Sequence, residues 1–114
     1  MRHILLIDLA DDAQAIAQYE EWHASGALPP AIGTSIRAAD VTAMEIYRSG
    51  NRLVMLMETG PGFDPAAKAA ADAANPAMQI WEAQMDGVQR PLSWAVPDAK
   101  WTEATRIFSL DEQP

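Results

Sequence analysis

Residues Val41 to Thr59 read VTAMEIYRSGNRLVMLMET, two strand-like runs joined by the turn residues Ser49, Gly50 and Asn51. This pattern predicts a β-hairpin, with strands over 41–48 and 52–59. In the second run Leu53, Met55 and Met57 alternate with Val54, Leu56 and Glu58. Successive side chains of a strand point to opposite faces, so both faces of this strand are mostly apolar. Such a strand has to be covered twice. Helices of the same chain can cover one face, and the other calls for a second sheet.

The flanking sequence supplies the rest of a sheet and its helices. His3 to Leu9 (HILLIDL) is a short β-type run. Asp11, with Gln14 three residues later, predicts a capped helix from there to about Ala24, ended by Gly26. Pro29 and Pro30 can start but not continue a helix, and a weaker helix is expected over 31–39. Asp64-Pro65 and Asn75-Pro76 each place a capping residue before proline, which predicts two further helices. In the second of these Met78, Trp81, Met85 and Val88 recur at spacings of three, four and three, one helical face. Residues 89–100 hold Pro91 and Pro97 and read as a loop, and Ala104 to Leu110 (ATRIFSL) reads as a last strand. The order is β-α-β-β-α-β with interrupted helices. It predicts a single α+β domain over residues 1–114, a ferredoxin-like unit with helices on one sheet face and a homodimer formed through the other.

Composition excludes several functions. Sixteen acidic against eight basic residues give a formal net charge of −8, a poor match to nucleic acid or anionic membranes, which need clustered Lys and Arg. There is no cysteine, hence no disulfide framework or thiolate chemistry. The apolar run near the N-terminus is too short to span a bilayer, and a cytoplasmic protein is expected. Asp8, Asp11 and Asp12 lack the glycine-bearing loop that hard-cation sites use. No phosphate loop, zinc spacing or Ser–His–Asp pattern occurs. No metal or cofactor is expected.

What remains is acid–base chemistry. The chain has two histidines, and His23 lies one helical turn after Tyr19, so the two rings share a helix face. Histidine is the side chain whose ordinary pKa suits proton transfer near pH 7. A histidine near a helix end is more often structural, and a tyrosine on an amphipathic helix is more often a core aromatic with a wet hydroxyl. Four tryptophans stand against two Phe and two Tyr. Trp81 belongs to an apolar helical face. Trp94 and Trp101 lie in or beside the proline-containing loop, where they either pin it or stack on a ligand ring. Tyr47 ends the second strand, and Asn51 reads first as a turn residue.

These residues carry a family resemblance. The segments YEEWH (19–23), SIRAADVTAMEIYR (35–48), GNRLVMLMET (50–59), KAAADAANP (68–76), IWEAQM (80–85) and KWTEATRIFSL (100–110), in this order, resemble the L-rhamnose mutarotase family, and within it the branch associated with L-fucose. The resemblance implies a dimeric α/β barrel of ferredoxin-like units. It implies cofactor-free interconversion of the α and β anomers of a 6-deoxy-L-hexose, L-fucose before L-rhamnose. His23 and Tyr19 take the catalytic positions, and Tyr47, Asn51, Trp81 and Trp94 are expected to bind the sugar. The stretch Leu28-Pro29-Pro30 departs from the family pattern, as does Met44, where the rhamnose branch carries a tyrosine. A cofactor-free monooxygenase of similar fold, and a small-molecule-binding or regulatory dimer, are the competing readings of the fold pattern.

Overall fold

The hairpin sits at one side of an antiparallel sheet. The structure, a computed structural model that describes residues 1–114, contains β1 (Arg2–Leu9), α1 (Ala13–Trp22), α2 (Pro30–Ala38), β2 (Val41–Ser49), β3 (Arg52–Thr59), α3 (Pro65–Ala73), α4 (Pro76–Asp86), β4 (Gln89–Arg90) and β5 (Thr102–Glu103), followed by a short 3₁₀ turn over Leu110–Glu112. The sheet order is β2-β3-β1-β4, and β5 pairs β1 further along. Thus β1 and β3 are central, as a split β-α-β unit places them.

Register decides which side chains meet the helices. Ile7 lies opposite Leu53 and Leu5 opposite Met55, whereas Leu6 lies opposite Val54 and Ile4 opposite Leu56. Directly paired residues share a face. The first set faces the helices, and Ile7, Leu9 and Leu53 form the buried core there with Tyr19 of α1 and Met85 of α4. The second set, Ile4, Leu6, Val54 and Leu56, lies on the opposite face and is only partly buried. No helix of the structure is long and apolar enough to cross a membrane.

Local chemistry starts the helices. The Asp64 carboxylate accepts from the Ala66 and Ala67 amides at 3.0 and 3.4 Å, and Pro65 takes the first helical position. Asn75 does the same for α4, accepting from the Ala77 amide at 3.1 Å. Replacing Asp64 by alanine is expected to cost about 1 kcal/mol, read as a lower urea midpoint at unchanged slope. For α1 the cap is Asp12 rather than Asp11: its carboxylate accepts from the Gln14 amide at 3.1 Å. The helix ends at Trp22, with His23 as its C-cap.

Two strand expectations change. Gln89–Arg90 is a strand that pairs Asp8 and Leu9 of β1, although it falls where a loop is expected. The last strand is confined to Thr102–Glu103; the Ala104 amide still donates to the Ile4 carbonyl at 2.7 Å, and the run beyond it continues without backbone pairing to the sheet. Once Pro91 ends β4, the intervening loop returns the chain to β1 only at Thr102. Lys100 fixes that loop to α4, 2.8 Å from Asp86, while Trp101 packs on the core.

Candidate active site

The end of α1 and the edge strand β2 enclose a cleft of about 400 Å³ lined by Tyr19, Glu20, His23, Ile46, Tyr47, Arg48 and Leu53. This is within the size range of small-molecule sites. A larger groove of about 600 Å³ runs between α2 and α3, but its walls are mainly alanine with Ser35, Lys68 and Asp72. There Asp72 is closed on its neighbours, with Lys68 Nζ 2.5 Å from Oδ2 and Ser35 Oγ donating to Oδ1 at 3.3 Å. That groove contains no histidine and its one ion pair is closed on itself, so the candidate site for acid–base chemistry is the His23 cleft.

Helix termination sets the state of His23. Its Nδ1 lies 2.7 Å from the Tyr19 carbonyl oxygen. A carbonyl oxygen only accepts, so Nδ1 carries the proton, and Nε2 of the neutral ring keeps its lone pair. The same carbonyl also accepts from the His23 backbone N–H at 3.2 Å. The imidazole is therefore held at both its backbone and its ring. Tyr19 stacks on it with ring centroids 4.0 Å apart and planes 22° apart. Trp81 of α4 approaches at 5.3 Å and 58°. Three elements of local structure, namely the C-cap, the i,i+4 stack and the apolar face of α4, converge on one imidazole.

Burial governs the proton affinities. It lowers the His23 pKa below the ordinary 6.5, with the hydrogen bond to the Tyr19 carbonyl acting in the opposite sense. It raises the Tyr19 phenol to about 12, and the Gln89 side chain offsets part of that rise. At neutral pH His23 is thus an uncharged base, and Tyr19 stays a phenol.

The other expected site residues divide. Trp81 reaches His23, as described. Tyr47 stands at the cleft rim, 53 % exposed. Its neighbours Ile46 and Arg48 point to the helix face, so its own side chain leaves β2 on the other side, where the hydroxyl donates to Glu45 at 3.1 Å. Glu45 raises the phenol pKa through that hydrogen bond and its charge. Asn51 is spent on the fold: its Nδ2 donates to the Leu9 carbonyl at 3.0 Å, and its own carbonyl accepts from the Leu9 amide at 2.6 Å. Trp94 lies over the Arg52 guanidinium, 5.6 Å from the ring centre. The structure brings neither Asn51 nor Trp94 to the His23 cleft. It adds Glu20 and Arg48, joined by a 2.6 Å hydrogen-bonded ion pair at the rim. The alternation of Ile46 with Arg48 on the helix-facing side of β2 was the available sign.

Comparison with known proteins settles the family. The sequence model of the L-rhamnose mutarotase family matches residues 2–110. The chain belongs to the L-rhamnose mutarotase family. Its members are isomerases, and a site centred on a histidine suits that class. An L-fucose mutarotase of Xanthomonas campestris pv. campestris is 50 % identical over 107 residues, 94 % of this chain and 86 % of that protein. The crystal structure of an L-rhamnose mutarotase from Formosa agariphila superposes with a TM-score of 0.67 at 17 % identity, covering 96 % of this chain and 98 % of that one. At that identity the likeness establishes the mutarotase fold.

Proposed function

We propose that this mutarotase family member interconverts the α and β anomers of a 6-deoxy-L-hexose, with L-fucose preferred to L-rhamnose. The observation that carries the reading is the fixed tautomer of His23, which leaves the lone pair on Nε2 of a ring that lines a sugar-sized cleft. The preference for L-fucose rests on the 50 % identical relative.

Mutarotation needs two proton movements and no redox step. Nε2 of His23 takes the proton of the anomeric hydroxyl. The C1–O5 bond breaks as the C1–O1 carbonyl forms, and the imidazolium returns its proton to O5. Both oxygens are bonded to the same carbon before ring opening, so one imidazole reaches both. The open aldehyde rotates about C1–C2, and the steps run backward on the other face. Tyr19 acts by orientation: its carbonyl fixes the tautomer and its ring fixes the plane. Trp81 offers an apolar surface to the C–H face of the pyranose, and the Glu20–Arg48 pair offers hydrogen bonds at the rim, whereas Tyr47 is turned to the opposite face and is not assigned to the sugar.

The partly buried sheet face of Ile4, Leu6, Val54 and Leu56 supports a homodimer in which two sheets stack as a dimeric α/β barrel. A small acidic domain of this kind works as a cytoplasmic enzyme of sugar metabolism.

Saturation-transfer NMR with L-fucose and L-rhamnose in parallel tests the reaction. Protein-dependent exchange, faster for L-fucose, is expected. Equal rates with and without folded protein would reject it. The pH profile follows from the proton affinities. The rate is expected to rise with pH to a plateau, with its midpoint below 6.5, because only neutral imidazole accepts the first proton. The same lowered pKa makes His23's contribution to stability complete above 6.5, and it is lost as pH falls through the folded value. A midpoint above 6.5 would exclude His23 as the base.

A further inference from the structure

The His23 cleft holds one permanent ion pair, Glu20 of α1 with Arg48 of β2, and the proton transfers use neither member. Arg48 lies opposite the buried Leu53 in the hairpin register, so its side chain leaves β2 on the helix side. The guanidinium is clamped at two points. Its Nε donates to Glu20 Oε1 at 2.6 Å, and its Nη1 donates to the Gly50 carbonyl of the hairpin turn at 2.8 Å. Arg48 Nη2 and Glu20 Oε2 keep their hydrogen-bonding capacity, a donor beside an acceptor, on side chains partly open to the cleft mouth. A planar fork held in this way is ordered before any ligand arrives.

A sugar hydroxyl both donates and accepts, so a single hydroxyl can accept from Nη2 and donate to Oε2. Helix spacing indicates which hydroxyl meets the pair. Glu20 precedes His23 by three residues, which puts their Cβ atoms roughly 5–6 Å apart on neighbouring positions of the helix surface, close to the width of a pyranose ring. With C1 at His23, the ring atom across from it is C4. L-fucose and L-rhamnose share the methyl group and the C3 hydroxyl and differ at C2 and C4. The C4 hydroxyl is axial in L-fucose and equatorial in L-rhamnose. A clamp set for one direction misses the other, because hydrogen bonds weaken steeply away from their preferred length and line. C4 also stays in place while the open aldehyde rotates about C1–C2, so a grip there keeps the chain seated until the ring recloses.

We propose that Arg48, clamped by Glu20 and the Gly50 carbonyl, grips the axial C4 hydroxyl of the sugar and so sets the preference for L-fucose over L-rhamnose. The proposal rests on the mutarotase reading and names the specificity residue of that same site. The grip is the same before and during ring opening, so it acts on sugar binding and leaves the proton transfers to His23.

Saturation-transfer NMR over a range of sugar concentrations tests this with L-fucose, L-rhamnose, 4-deoxy-L-fucose and 2-deoxy-L-fucose. In Arg48→Leu the ratio of kcat/KM for L-fucose to that for L-rhamnose is expected to fall by about tenfold, the worth of one charged hydrogen bond at a partly exposed site. The fall should come from a higher KM for L-fucose at similar kcat. The unaltered protein is expected to use 4-deoxy-L-fucose about tenfold less efficiently than L-fucose, and Arg48→Leu should add no further loss on that analogue. On 2-deoxy-L-fucose the substitution should cost as much as on L-fucose. Equal losses on L-fucose and L-rhamnose, or a loss of kcat on both, would mean that the ion pair only holds α1 to β2, and would overturn the proposal. So would a loss on L-fucose that vanishes with the 2-deoxy sugar and persists with the 4-deoxy one. If Arg48→Leu does not fold, the unaltered protein decides: equal efficiency on L-fucose and 4-deoxy-L-fucose overturns the proposal. Acceleration of neither L-fucose nor L-rhamnose removes the mutarotase reading as well, whereas acceleration with an unmoved sugar ratio removes the role of Arg48 alone.

Discussion

Changing His23 to asparagine is expected to lower protein-dependent anomeric exchange by about 10²–10⁴-fold, the usual worth of a general acid–base group, while the protein still folds. Asparagine places an amide N–H near the position of Nδ1, so it can still donate to the Tyr19 carbonyl, and it is a good residue at a helix end. What it lacks is a titratable lone pair in place of Nε2. Circular dichroism and saturation-transfer NMR on the same sample check the two halves of this expectation. Near-native exchange in folded His23→Asn would move the acid–base role elsewhere. A steep fall with unchanged melting would place it on the imidazole, because the capping contact has been kept.

The second large effect is on stability. Ile7 has no exposed surface and packs with Leu9, Leu53, Tyr19 and Met85. Cutting it to alanine removes three carbons from a site enclosed by a central strand and two helices. The expected loss is about 2–5 kcal/mol, which corresponds to a melting temperature lower by roughly 10–20 °C for a domain of this size. The loss should show in the denaturant midpoint at constant slope. A change under 1 kcal/mol would mean that the helices collapse onto the gap, and that α1 is free to shift against the sheet.

The hairpin was legible because alternation and turn residues are local signals: β3 spans 52–59 as its pattern predicts. Asp64-Pro65 and Asn75-Pro76 were legible for the same reason, since capping acts over three residues. The run 104–110 was misread in a specific way. Its β-type residues suit a strand, but nothing within the segment marks that pairing with β1 stops just past Glu103. The site shows the same division. Tyr19 and His23 are joined by helical spacing and could be paired from sequence. The Glu20–Arg48 ion pair spans 28 positions and depends on how α1 crosses β2. Tyr47 was visible as a residue near the cleft, but strand parity turns its side chain to the opposite face. Asn51 looked available only until the Leu9 backbone was seen to occupy it.

One residue both ends α1 and holds the proposed catalytic lone pair. Selection for thermal stability that lengthened this helix, or exchanged its C-cap for glycine, would erase the proposed activity without touching the cleft walls. Stability and turnover are therefore expected to trade against each other at position 23, and stabilising substitutions that spare catalysis should be found at the other helix ends.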